Sequence, residues 1–204
     1  MEICLTLSPN KPTHTTMSTV ILKWNPAFSS YSMLHYLADI RDLNLYNDSD
    51  FDWSVWEHER IHRGDRYYWL KVGAYGQIGI VGAGTITSEP YSAEDWSGKG
   101  RPTFYVSYTA DLLLNPDALP ILTAKELQAA IPDFEWTGGH SGLVLNDTQA
   151  AALDTLWQDF VKRNSEEFER AKSLPRGDRD LIYIKPKESC TRITAKNNSK
   201  QWRQ

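Results

Sequence analysis

Two aromatic and β-branched runs, Arg66 to Val72 and Ile78 to Thr87, flank the short segment Gly73-Ala74-Tyr75-Gly76-Gln77. A parallel crossover needs roughly a dozen residues or more, so these runs must fold back on each other as an antiparallel hairpin. A third run, Thr103 to Tyr108, alternates in strand fashion after a loop rich in Pro, Gly and Ser from Ser88 to Pro102. Strands that follow one another without regular helical crossovers exclude a doubly wound sheet. They predict an α+β fold, a small and mostly antiparallel β-barrel surrounded by helices.

The flanking segments supply the remaining elements. Val20 to Trp24 reads as a buried strand stopped by Asn25-Pro26, because proline cannot donate into a sheet ladder. A helix is expected from about Ser29 to Asp42. Ser54 with Glu57 has capping-box spacing and predicts a short helix ending near Gly64. Thr123 with Glu126 predicts a helix through Ile131, and Asn146 with Gln149 a long one reaching about Lys172. The apolar run Leu181 to Ile184 suits a docking strand. One domain over residues 18–172 is expected, with residues 1–17 a disordered extension and residues 173–204 a basic tail.

Composition narrows the function classes. The chain of 204 residues is net −4, yet Val161 to Gln204 carries 12 Lys and Arg against 6 Asp and Glu, leaving −10 on the rest. An acidic body argues against tight non-specific duplex binding, which needs cations to displace phosphate counterions. Eight tryptophans are many for this length, and indoles are good flat surfaces for stacking. The two cysteines, Cys4 and Cys190, show no CxxC spacing, which argues against a disulfide framework and a Cys-type zinc site. With neither a secretory signal nor a membrane-length apolar stretch, a cytoplasmic address is expected.

Motifs of catalytic type are weak. His58-Glu59-Arg60-Ile61-His62 is a literal HExxH, which on a helix would place His58 and His62 on one face to bind zinc with Glu59 as base. Arg60 and Arg63 make a solvated helix face the better reading, and a zinc-dependent hydrolase a minor alternative. Arg63-Gly64-Asp65 reads as a helix stop and turn rather than an adhesion tripeptide. Gly79 to Gly84 lacks the GxGxxG order, so its glycines are expected to let barrel strands curve and pack closely. Neither cysteine has a nearby histidine and no GxSxG elbow exists, so no catalytic residue and no cofactor is assigned. The loop Phe134 to Gly142 combines apolar walls, small residues, His140 and Ser141, a mixture that suits a flat polar ring.

In their order these pieces resemble the EVE branch of the PUA-like superfamily, which also includes YTH and ASCH domains, from about Val20 to Trp157. Lys23-Trp24-Asn25-Pro26 matches the Lys-x-x-Pro end of the first strand, and Phe28-Ser29-Ser30-Tyr31 the short motif after it. Trp53-Ser54-Val55-Trp56 corresponds to a tryptophan-led helix, and Gly64-Asp65 to the turn into the aromatic strand. Gly79 to Gly84 and Ser88-Glu89-Pro90-Tyr91 form the most specific block. At Lys71-Val72 the chain departs from the His-Ser that EVE domains often carry.

The resemblance implies a reader of a methylated or otherwise modified base of DNA or RNA, working with a separate effector nuclease or ATPase in methylation-dependent restriction or defence. A base lifted from its stack would lie against aromatic walls and have its edge read by polar groups. Candidates at the first strand end are Trp24, Asn25, Ser29, Ser30 and Tyr31. Trp53 and Trp56 on the short helix, and Trp136, His140 and Ser141 in the loop, complete the set. Trp69 and Trp157 are expected in the core. An alternative is a protein-interaction or small-molecule-sensing module on the same barrel.

Overall fold

The computed structural model describes residues 17–47, 51–74, 76–95, 100–174 and 180–186. Residues 1–16 of the expected extension at residues 1–17, and much of the basic tail, therefore lie outside the described residues. Among the described residues one curled sheet has nine strands, in chain order β1 (Thr19–Trp24), β2 (Phe51–Val55), β3 (Arg66–Lys71), β4 (Gly79–Ile86), β5 (Tyr91–Glu94), β6 (Pro102–Leu114), β7 (Leu122–Thr123), β8 (Leu143–Val144) and β9 (Ile182–Ile184). Its main path runs β2-β6-β4-β3-β1-β8. Among the described residues only β1 with β3 is parallel; the other pairings are antiparallel. The fold is α+β, a half-barrel with helices packed around it.

The predicted hairpin is present as β3 and β4, and shifts of register at Trp69/Leu70 and Ala83/Gly84 bend the central strands. Gly84 is required there: a Cβ would lie 2.0 Å from the Thr109 carbonyl oxygen on β6. The outer margins of the sheet also meet. Beyond β2 the amide of Trp56 donates to the Ser141 carbonyl (2.9 Å) and that of Glu57 to the Gly142 carbonyl (3.0 Å). β9 pairs with β6, as expected for a docking strand.

Among the described residues four helices surround the sheet: α1 (Met33–Tyr46), α2 (Ala124–Ala130), α3 (Asp147–Arg163) and α4 (Ser165–Lys172). The capping boxes of Thr123 with Glu126 and Asn146 with Gln149 form as expected. The long helix breaks at Asn164, and α1 starts later than predicted, on a capping box of Ser32 with His35. Residues Ser29 to Tyr31 are thereby left in an irregular loop. None of the helices among the described residues is long and apolar enough to cross a membrane.

The helix predicted from Ser54 is a correction. Phe51 to Val55 is a strand antiparallel to β6, because Phe51, Trp53 and Val55 alternate with the polar Asp52 and Ser54. Glu57 is used elsewhere: its carboxylate accepts from the Val144 amide (3.0 Å) and pairs with Arg60 (2.7 Å). Only a single 3₁₀ turn, His58–Arg60, follows. The α-helical spacing that HExxH needs is therefore absent, and the His58 ring stacks on Phe104 instead, with centres 3.5 Å apart.

Candidate functional site

A cleft of about 220 Å³ opens between the β1–α1 loop and the β2–β6 pair. Its lining is Ser29, Ser30 and Tyr31 from the loop, Asp52, Trp53 and Ser54 from β2, and Tyr105 from β6. That is smaller than the roughly 300–1,000 Å³ of clefts that take drug-sized ligands, and suits one flat ring system.

Local backbone preferences build each wall. The Asn25 carbonyl accepts from the amides of Phe28 and Ser29, and the Ser29 hydroxyl accepts from the Tyr31 amide at 3.1 Å. This run of turns holds Ser29 to Tyr31 over the cleft until the Ser32 cap starts α1. On β2 the alternation sets Trp53 toward the aromatic core while Asp52 and Ser54 pair in register with Ser107 and Tyr105. The Asp52 carboxylate accepts from the Ser107 hydroxyl at 2.7 Å, and Tyr105 stacks on Tyr91.

The Trp53 ring is fixed from behind. Its indole N–H donates to the Ser141 hydroxyl at 3.0 Å, and that same oxygen accepts from the Lys23 amide at 2.9 Å. Buried Lys23 anchors the loop carrying Ser141, its ammonium donating to the Glu135 carbonyl at 2.6 Å and to the Gly138 carbonyl. Burial pushes the Lys23 ammonium below its usual range, with the Glu135 charge pulling it back up. Burial, followed by the hydrogen bond to Asp39, drives the Tyr31 phenol far above its ordinary range, so it stays a neutral donor.

Of the residues expected from sequence, the structure brings together Ser29, Ser30, Tyr31 and Trp53 as lining, with Ser141 as the support behind Trp53. Trp24 lies one layer deeper, buried, its indole N–H donating to the Tyr31 carbonyl at 2.7 Å. The Asn25 side chain accepts from the Ala27 amide and does not line the cleft. Trp56 and His140 stack on each other outside it, centres 4.1 Å apart and planes within 8°. Trp69 and Trp157 are core residues, as expected.

Trp136, expected as a wall, is corrected to the core: it is buried, packs on Phe134, and donates to the Ile131 carbonyl at 3.0 Å. Trp136→Ala should therefore lower unfolding stability by about 3–5 kcal/mol. The midpoint of urea denaturation checks this. Asp52, Ser54 and Tyr105 were missed. The strand alternation of Phe51 to Val55 is the signal that would have found the first two.

No family model matches the chain, and no curated protein matches it. Among solved structures it is similar to Rpa0253 from Rhodopseudomonas palustris, seen by NMR, at 19% identity and TM-score 0.43, covering 69% of this chain and 92% of that one. It is similar also to human THYN1, crystallised with 5-methylcytosine-containing DNA, at 11% identity and TM-score 0.45, covering 68% and 96%. A third is the Mmi1 YTH domain, at 14% identity and TM-score 0.44, covering 72% and 78%. YTH domains are among the groups that the motifs of this chain resemble. The methylated DNA belongs to that other protein; here the chemistry is set by the cleft's own side chains.

Proposed function

We propose that this chain is a non-catalytic reader that holds one nucleobase in the cleft, and that the base carries an exocyclic amine, as cytosine and adenine do. The observation that carries this reading is a cleft sized for one ring system whose lining combines the aromatic residues Tyr31 and Trp53 with the acidic Asp52. Aromatic walls supply base stacking of about 1–3 kcal/mol per base, whichever base is present. The carboxylate supplies the selection, because it accepts from an amine edge and repels a carbonyl edge. Ser29, Ser30 and Ser54 offer hydroxyls that both donate and accept around the same ring. The motif resemblance to EVE and YTH domains supports a methylated or otherwise modified base, and an effector nuclease or ATPase as partner.

A cleft of this size reaches only a base taken out of its stack, so single-stranded or flipped nucleotides are its substrates. The test is binding of short oligonucleotides, single- and double-stranded, carrying one cytosine, 5-methylcytosine, adenine, N6-methyladenine or uracil. Selective binding of one amino-bearing base is the expected result; equal binding of all five sinks the reading. Asp52→Asn should cut the preference for that base over uracil by about tenfold or more, the worth of a hydrogen bond to a charged group.

A second reading is favoured by one feature: none of the described residues lining the cleft is Lys or Arg. A free heterocycle needs no phosphate contact, so the same cleft on a sensing module would bind nucleosides as tightly as oligonucleotides. Titration with both forms of one base separates the two readings.

A further inference from the structure

One wall of the cleft is the chain's own Tyr31. Its ring stacks on Trp69, with centres 5.7 Å apart and planes at 21°. It meets Trp24 and Trp53 edge-on at 5.6 and 5.7 Å. Three indoles thus enclose one phenol, an arrangement that would serve any flat aromatic ring.

Hydrogen bonding in this cage is uneven. The indole N–H groups of Trp24 and Trp53 are paired, to the Tyr31 carbonyl and the Ser141 hydroxyl. Trp69 is fully buried, and among the described residues its indole N–H has no hydrogen-bond partner. A buried donor left unpaired keeps its full desolvation penalty, and native proteins keep few such groups.

Tyr31 is also placed to move. It lies between the turn at Asn25 and the cap of α1, in neither a helix nor a strand. The Trp24 N–H grips its carbonyl, so the backbone can stay while the side chain turns. Its hydroxyl is latched to Asp39 on α1.

We infer that Tyr31 is a resident occupant of a deeper compartment walled by Trp24, Trp53 and Trp69, and that a planar heterocycle with a hydrogen-bond acceptor on its rim displaces it. The inference rests on the cleft being a base site. Exchanging one ring for another keeps the aromatic contacts, so opening costs mainly the latch to Asp39. A ring nitrogen or carbonyl oxygen of the ligand gives the Trp69 N–H the partner it lacks. The closed cage reduces apparent affinity by the fraction of time it is open, and loosening Tyr31 removes that reduction.

The test is an NMR titration of the full chain carrying ¹⁵N-labelled tryptophan, with 1-methylcytosine and 9-methyladenine as probes. The Trp69 indole signal is identified by its loss in Trp69→Phe. One probe should move that signal downfield, and Tyr31→Ala should bind it about tenfold more tightly with the same shift. Should Tyr31→Ala fail to fold, Tyr31→Phe releases only the latch and should tighten binding about threefold. Binding that is lost in Trp53→Ala but leaves the Trp69 signal unmoved, with no Tyr31 variant tighter, overturns the deeper compartment and leaves the cleft reading standing. No shifted indole with either probe in any folded variant overturns both.

Discussion

Trp53→Ala should weaken binding of the selected base by about 5- to 150-fold, the range of stacking on one aromatic side chain. Trp53 is the wall that the architecture holds most firmly. It stands on β2 opposite Val106, packs edge-on against Trp69 at 5.3 Å, and is tied through its N–H to Ser141 and to the Lys23 carbonyl. A pre-positioned ring needs no ordering when ligand arrives, so its loss appears almost wholly in affinity. Trp53→Phe keeps a stacking face and loses the two hydrogen-bond partners. Its expected deficit is smaller, about three- to tenfold. Fluorescence anisotropy with a single-stranded oligonucleotide carrying the selected base measures both. Equal affinity of wild type and Trp53→Ala, with the variant folded by circular dichroism, would remove Trp53 from the site.

The parts legible in the sequence are those decided within a few residues. The glycine-bounded hairpin of β3 and β4, and the caps at Thr123 and Asn146, depend on neighbours along the chain, and they appear where expected. Ser54 and Glu57 have the same spacing as those caps but a different outcome. Glu57 finds the Val144 amide, far away in sequence, and the strand alternation of Phe51 to Val55 decides the conformation. Tertiary partners outvote a local signal there.

The site was half legible for the same reason. Ser29, Ser30, Tyr31 and Trp53 were marked by motif order, whereas Tyr105 enters the cleft only because β6 pairs with β2 in a register that sets it opposite Ser54. Trp136 and Trp53 are indistinguishable as residue types. A carbonyl within reach, that of Ile131, sends Trp136 inward, while Ser141 holds Trp53 at the cleft. Which indole faces the ligand depends on contacts between segments that only the folded sheet brings together.

Gly142→Ala should be the most damaging single methyl in the region of the cleft, lowering stability by about 3 kcal/mol or more and binding with it. Gly142 sits at φ +73°, and a Cβ there would lie 2.5 Å from both Cα and Cβ of Val55, closer than the end of β2 can permit. The left-handed backbone alone costs a non-glycine residue about 1–2 kcal/mol. Relieving the clash means pushing β2 away from the segment before β8, which breaks the bonds from Trp56 and Glu57 to Ser141 and Gly142. The Ser141 hydroxyl would then leave the Trp53 indole, and the cleft would lose its fixed wall. Gly64→Ala isolates the backbone cost, since Gly64 has φ +97° with nothing within 4 Å of its Cβ position. It should lose only about 1–2 kcal/mol and bind normally. Chemical denaturation and oligonucleotide titration of the two variants side by side measure the difference. If Gly142→Ala loses no more than Gly64→Ala, the meeting of β2 and β8 is not what holds Trp53 in place.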